Sequence, residues 1–313
     1  MTTASPPAVF STISEVERDV GVAKETLRVW ERRYGFPQPA RDGNGERIYP
    51  PEQVLRLVQI KRLLDQGYRP GKVVALGLEA LSALGAKAGG ATPARGADDP
   101  QLAACIGLLQ QHRMAELRQQ LHQAMLAMGL RRWVTELVAP LTTVVGDAWA
   151  AGQLAVFEEH LYSDMLQGVM RQAIGAATQQ ADHALASPRV LLTTVPQERH
   201  GLGLLMAEAL LSLEGAHCIS LGVQTPLQEI VAAARAQRID IVALSFSGVS
   251  SSRATLDNLT DLRGRLDAQV DLWAGGTGAM LVRRHLGNDV VLDLGDIADA
   301  VARWRARQES VVV

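Results

Sequence analysis

Cysteine is nearly missing from the 313-residue chain, which holds only Cys105 and Cys218. Two thiols support neither a disulfide framework nor a thiolate metal site, and a reducing cytoplasm suits such a sequence. The opening residues have no basic stretch followed by an apolar one, so no secretory leader is expected. No uninterrupted apolar run reaches the ~18 residues that mark a membrane span, which argues against a membrane partner. The glycine-rich dinucleotide fingerprint is absent too: the loop after the strongest strand signal reads Pro196-Gln-Glu-Arg-His200, which disfavours nicotinamide. Pro100 to about Ala184 carries no strand pattern, and no stretch is left long enough for a substrate barrel.

What is present describes a globular chain in several parts. Hydrophobic residues make up 47 % of it, and at about 100 to 200 residues per domain the length suggests two or three domains. The net charge of −2 hides an asymmetry, because Lys24 to Lys72 holds 11 Lys/Arg against 6 Asp/Glu, an excess of 5. Such a basic region seeks phosphate. Within it, Thr12-x-x-Glu15 is a capping box for a short helix ending at Gly21. A second helix, Ala23 to Tyr34, turns Leu27 and Trp30 inward and leaves Lys24, Arg28, Arg32 and Arg33 for other faces. Arg41 to Tyr49 then sets a glycine-rich turn between two short arms, a hairpin wing. An isolated helix with these charges would be read as a solvated face. The order of parts instead makes a winged helix-turn-helix with a basic second helix.

A further helix follows Pro50-Pro51, with Val54, Leu57, Val58 and Leu64 on its apolar face, and Ala86 to Asp99 has linker composition. From Pro100 to Ala184 the apolar spacing is helical, with turns near Gly129 and Gly152 and a bend or break at Pro140. A four-helix bundle is the economical reading. The remainder alternates strands near Val190–Val195, His217–Leu221, Ile239–Ser245, Val270–Ala274 and Val290–Leu292 with helices, a five-stranded doubly wound parallel sheet of Rossmann-like (flavodoxin-like) type. The expected domains are 9–81, a linker 82–99, the bundle 100–184 and the sheet domain 188–313.

The loop after the first of these strands carries Glu198, His200 and Gly203. In an open parallel sheet that loop faces the ligand crevice, and a carboxylate two residues before a histidine can hold one ring nitrogen and leave the other for a metal. Alone, such a histidine is more often a loop residue with no ligand. Ser245-Phe-Ser247 and Gly275-Gly276 end later strands on the same sheet edge.

Two resemblances follow from these residues. Glu198-x-His200-x-x-Gly203, Ser245-x-Ser247 and Gly275-Gly276 resemble the signatures of the cobalamin-binding domain, in their order and spacing. That resemblance implies His200 as the lower cobalt ligand, Glu198 behind it, and Gly203, Ser245, Ser247, Gly275 and Gly276 around the corrinoid tail. Thr26 to Gly35 followed by Arg47-Ile-Tyr49 resembles the MerR regulator family. It implies a double-stranded DNA operator as partner and Lys24, Thr26, Arg28, Arg32, Tyr34, Arg41, Arg47 and Tyr49 as contacts, with Leu27, Trp30 and Ile48 as core.

Trp149, followed after nine residues by Glu159-His160, completes the pattern. By themselves these read as bundle core and an exposed helix start, but before a cobalamin domain they resemble the cap of cobalamin-dependent MerR-type photoreceptors, the CarH/LitR group. The resemblance implies adenosylcobalamin as cofactor, with Trp149 over the upper cobalt face and Glu159 and His160 accommodating the adenosyl group. It further implies a non-enzymatic, light-responsive regulator that assembles as a homo-oligomer, dimer or tetramer, in the dark. Light-sensing relatives can carry a histidine directly after the tryptophan, where this chain has Ala150. Water or His160 could then hold the lit state, or the protein senses cobalamin without light. Two rivals stay open: a cobalamin-dependent enzyme or corrinoid carrier, and a MerR-type regulator of another ligand or partner.

Overall fold

The structure, a computed structural model, describes residues 10–65, 67–88, 99–150, 153–178, 187–247, 252–286 and 291–311. It divides into two units, Met1–Thr92 with Gly146–Leu154, and Pro93–Val145 with Ala155–Val313.

The first unit runs β1 (Ser11–Thr12), α1 (Ile13–Val20), α2 (Lys24–Tyr34), β2 (Ala40–Arg41), β3 (Arg47–Tyr49), α3 (Pro51–Asp65), α4 (Pro70–Val73) and α5 (Leu78–Ala88). The capping box forms: Thr12 N–H donates to Glu15 Oε2 at 2.6 Å, and Glu15 N–H to Thr12 Oγ1 at 3.3 Å. Gly21 and Gly35, at φ 72° and 70°, stop α1 and α2 in the left-handed conformation that glycine adopts without a Cβ penalty. The wing is a three-stranded antiparallel sheet, β1-β3-β2. Its third strand, β1, carries no sequence signal because it is two residues long. Asp42 Oδ1 closes the glycine-rich turn by accepting from the N–H groups of Asn44 and Glu46 at 2.9 and 2.8 Å. Val16, Leu27, Trp30, Leu57, Ile60 and Leu63 meet in one core. Within the wing the expected facing is reversed. Tyr49, expected at DNA, is fully buried in that core, whereas Ile48, expected in the core, is only half-buried. A three-residue strand is too short for its period-two pattern to declare which face looks inward. The expected linker begins inside α5, which continues to Ala88, and 89–98 lie outside the described residues.

The second unit opens with α6 (Pro100–Gln110), α7 (Met114–Met128), α8 (Leu130–Arg132), a π-helical segment (Trp133–Val138), α9 (Ala139–Ala150) and α10 (Val156–Thr178). The last turn of α9 groups with the first unit. Pro140 does not break the helix. A proline in a helix interior offers no N–H to the carbonyl four residues earlier. The preceding turn widens instead, ending in a five-residue bond from Ala139 N–H to Val134 O, and buries Trp133, Val134, Leu137 and Val138.

The sheet domain continues with β4 (Arg189–Thr193), α11 (Leu202–Leu213), β5 (His217–Gly222), α12 (Leu227–Ala236), β6 (Ile241–Ser245), α13 (Ser252–Arg265), β7 (Asp271–Gly275), α14 (Thr277–Met280), α15 (Arg283–Leu286), a 3-10 turn (Leu294–Asp296) and α16 (Ile297–Val311). The strands are parallel in the order β5-β4-β6-β7. The fifth strand expected at Val290–Leu292 is represented by one parallel bridge from Val291 to Ala274, and Val290 lies outside the described residues. The chain therefore reverses direction between β4 and β6, the switch point where such sheets open a crevice.

Leu27 makes no contact with solvent, so Leu27→Ala should destabilise the first unit by about 2–5 kcal/mol. Thr12→Ala, removing the cap, should cost about 1 kcal/mol. Denaturant unfolding followed by circular dichroism checks both, and unshifted midpoints would contradict this account of the core and cap.

Candidate cofactor site and DNA-facing surface

The site grows from two buried threonines at the end of β4. Thr193 Oγ1 pairs with Thr225 Oγ1 at 2.7 Å. Thr194 Oγ1 donates to Glu198 O at 2.6 Å and accepts the Gln224 N–H at 2.8 Å. Gln224 Nε2 reaches Pro196 O at 3.0 Å. These bonds fix the loop Val195–His200, and they were not foreseen because a threonine ending a strand looks like any β-branched residue.

Glu198 stands in this frame with 1 % of its surface exposed. A buried carboxylate needs its lone pairs filled. Oε1 accepts from His200 N–H at 3.0 Å and from His200 Nδ1 at 2.6 Å, and Oε2 accepts from Ser247 N–H at 2.8 Å and Ser247 Oγ at 2.7 Å. Glu198 follows β4 and Ser247 follows β6, so the carboxylate ties the two loops across the switch point. Ser247, expected beside the corrinoid tail, thus directs its hydroxyl to the carboxylate. Because an ionised carboxylate only accepts, the Nδ1 of His200 carries the proton and Nε2 is left with a lone pair on a ring whose side chain is 59 % exposed.

Burial alone would push the Glu198 carboxyl up, but the hydrogen bonds from the His200 ring and N–H and from Ser247 outweigh it and hold the group below its ordinary value. The Glu198 hydrogen bond raises His200 above its ordinary 6.5 against the opposing effect of burial, and the charges of Glu198 and Glu159 add to it. That coupling brings Glu159, at the start of α10, into the field of the imidazole. Glu159 is itself held by His160 Nδ1 at 2.8 Å and Ser163 Oγ at 2.6 Å. His160 is exposed.

The expected small residues make close approaches. A Cβ on Gly203 would sit 2.5 Å from Ser245 Oγ, so the first turn of α11 and the end of β6 come as near as glycine permits. Gly276, at φ 87°, would drive a Cβ into the Phe246 carbonyl, and Gly275 precedes it at the end of β7. Among the described residues no group of three or more His, Cys, Asp or Glu could hold a bare metal ion. A macrocyclic cofactor brings most of its metal's ligands with it and asks the protein for one. The donor set fits a cobalamin: one oriented imidazole with an acidic partner, beside small residues at the ends of β6 and β7.

Trp149 belongs to the first unit. The Arg62 guanidinium lies 4.8 Å from its ring centroid, and the indole N–H is buried without a hydrogen-bond partner.

On the DNA head, Arg28 and Arg32 are exposed on α2, with Thr26 and Tyr34 half-buried. Lys24 Nζ pairs with Glu17 at 3.3 Å, and Arg41 donates to Gly45 O at 2.6 Å within the wing. Arg47 is held by Glu31 of α2, Nε to Oε2 at 3.0 Å, so it braces the wing against the second helix. Gly67, Tyr68, Arg69 and Lys72 line a cavity of about 400 Å³ between α3 and α4. In the sequence Gly67 and Arg69-Pro-Gly71 signal only the end of a helix, and Tyr68 gives no signal of its own.

Comparison with known proteins bears on both surfaces. Residues 11–76 match the MerR HTH family regulatory protein model, and 101–174 and 188–302 match two models each described as a B12 binding domain. The HTH-type transcriptional repressor CarH of Myxococcus xanthus is 32 % identical over 83 % of this chain and 86 % of its own length. The chain belongs to the cobalamin-binding MerR-type transcriptional regulators. A second relative in the same organism, the HTH-type transcriptional repressor CarA, is 30 % identical over 88 % of each chain. The monomethylamine corrinoid protein of Methanosarcina barkeri, at 16 % identity, shares the fold with a TM-score of 0.50 over 63 % of this regulator and 94 % of that chain. Among the described residues no helix is long and apolar enough to cross a membrane.

In the cofactor-free regulator, His200 should titrate above 6.5, and Glu198→Gln should move it down. The lowered Glu198 contributes stability above its unfolded value, near 4.5, which is lost as pH falls through the folded one. The raised His200 contributes below 6.5, and that is lost as pH rises through the folded value. The pair should therefore stabilise most between about pH 4.5 and 6.5. Histidine NMR titration and unfolding across pH check this, and a midpoint unmoved in Glu198→Gln would refute the pairing.

Proposed function

We propose that this regulator is a non-enzymatic, cytoplasmic repressor that binds adenosylcobalamin and grips its operator as a dark-state homo-oligomer released by light. The observation that carries the reading is the Glu198–His200 pair, with its free Nε2 at the switch point of a sheet joined in one chain to a DNA head. His200 would be the lower ligand, Glu198 would fix its ring, Ser247 would fix Glu198, and Gly203, Ser245, Gly275 and Gly276 would flank the tail. Trp149, Glu159 and His160 would stand over the upper face. When bound, the cofactor would supply a cobalt–carbon bond that visible light breaks. Only residues that contact the two states differently can turn that into altered DNA affinity, and Glu159, whose charge already reaches His200, belongs to them. An oligomer engages DNA through several heads at once, so splitting it forfeits avidity. Ala150, standing where relatives can offer a histidine, supports a second reading in which cobalamin is sensed without light.

His200→Ala should abolish the spectrum of histidine-ligated cobalamin and weaken binding more than Glu198→Ala, since losing a partner behind a metal ligand typically costs ~10–100-fold. Size-exclusion chromatography and DNA binding of the adenosylcobalamin complex in darkness and after green light separate the two readings. Equal mass and affinity in both remove light and leave cobalamin sensing.

At the DNA surface, Arg28, Arg32 and Lys24 on α2, Arg41 in the wing and Arg69 and Lys72 would meet phosphates, with Thr26 and Tyr34 beside them and Arg47 acting by bracing the wing. Arg28→Ala should weaken binding to DNA selected from a random pool and lower the salt slope by about one unit, with cobalamin binding intact. Gel shifts over a range of salt check this, and an unchanged slope would remove Arg28 from the contacts.

A further inference from the structure

Arg62 lies on α3 of the DNA head with 4 % of its surface exposed. Arginine is almost never buried to that degree unless its donors are occupied. Its Nη1 donates to Trp149 O at 2.9 Å and its Nη2 to Leu154 O at 3.0 Å. The same guanidinium stacks on the Trp149 indole. Three features of one short segment, two carbonyls and a ring, are thus taken by one side chain of the DNA head, all inside a single unit of the structure.

The segment is shaped to be held. Gln153 N–H and Leu154 N–H both return to Ala148 O, at 2.8 and 3.3 Å, and Leu154 is buried. Neither Trp149 O nor Leu154 O can satisfy an N–H further along a regular helix, because α9 ends at Ala150 and α10 begins only at Val156. Arg62 satisfies both carbonyls with a rigid fork that lysine lacks. Beyond the segment the chain continues directly into Glu158, Glu159 and His160.

We propose that Arg62 is a positioning residue that couples cobalamin occupancy to the DNA head by holding Trp149 and Leu154. This rests on the reading of Trp149 and Glu159 as upper-face residues. A ligand that engages the indole then acts on a ring that also stacks on the Arg62 cation of α3. Any preference of the cofactor for one indole placement becomes, through the fork, a preference for one placement of α3, and α3 shares its core with α2 through Leu27, Leu57 and Ile60. The coupling is reciprocal, so DNA must change adenosylcobalamin affinity by the same factor.

The test compares DNA affinity with and without adenosylcobalamin, in darkness, for the full-length wild type, Arg62→Ala, Arg62→Lys and Trp149→Ala, using DNA selected from a random pool by the wild-type complex. Couplings of this kind usually span about 5–150-fold, and in both Arg62 variants the ratio should fall toward one while the histidine-ligated cobalamin spectrum is kept. A lost ratio with an unaltered spectrum is not produced by loosened packing alone. Arg62→Lys keeps charge and stem in the buried position and decides the matter should the alanine variant lose its helical circular dichroism. A wild-type ratio in a folded Arg62 variant, beside a Trp149→Ala protein that has lost cobalamin affinity, overturns the latch alone. A Trp149→Ala protein with wild-type cobalamin affinity overturns the placement of Trp149 and the proposal with it.

Discussion

The carboxylate of Glu198 is the constraint on which the cofactor half of the molecule depends. Taking a charge out of water is tolerable only when hydrogen bonds replace its hydration, and four donors from two loops do so here. Two consequences follow from the same geometry. One oxygen sets the tautomer and tilt of His200, and the other joins the loop after β4 to the loop after β6. The exposed imidazole of His200 and the ends of the two loops are therefore positioned by one group. The threonines below it are the foundation, since Thr194 holds the main chain of Glu198 itself.

The DNA head is organised on a different footing. Its cations are distributed between exposed positions such as Arg28 and Arg32 and braced ones such as Arg47 and Arg62. The braced ones are paired with a carboxylate or with carbonyls and an aromatic face, so their charge is committed to architecture. Net charge alone would have assigned all of them to nucleic acid. Arg56 makes the same point, its guanidinium 3.7 Å from the Phe36 ring centroid and bonded to Val74 O at 3.1 Å.

What could be read in the sequence was whatever is local along the chain. Glu198-x-His200 announces its hydrogen bond because two residues of separation bring the groups together whatever the fold does around them. Capping at Thr12 and termination at Gly21 and Gly35 are equally local, and apolar runs of strand length announce β4, β6 and β7. Ser247 on Glu198, 49 positions away, and Arg62 on Trp149 and Leu154, 87 and 92 positions away, carry no comparable signature. A serine after a strand and a cation on an amphipathic helix look ordinary until the fold chooses their neighbours. Tyr49 and Ile48 fall between these cases, since a strand so short leaves the inward face to be decided by the helix above it.

The widened turn at Trp133–Val138 acts as a phase setting for everything downstream of it. Each residue advances an α-helix by about 100° around its axis, and a five-residue bond inserts one position without advancing the turn count. The compass direction in which α9 starts is set by how that one turn is wound relative to α8. A helix wound in this way keeps apolar side chains inward on both sides of the joint, Trp133, Val134, Leu137 and Val138 in the widened turn and Leu141 and Val145 after it.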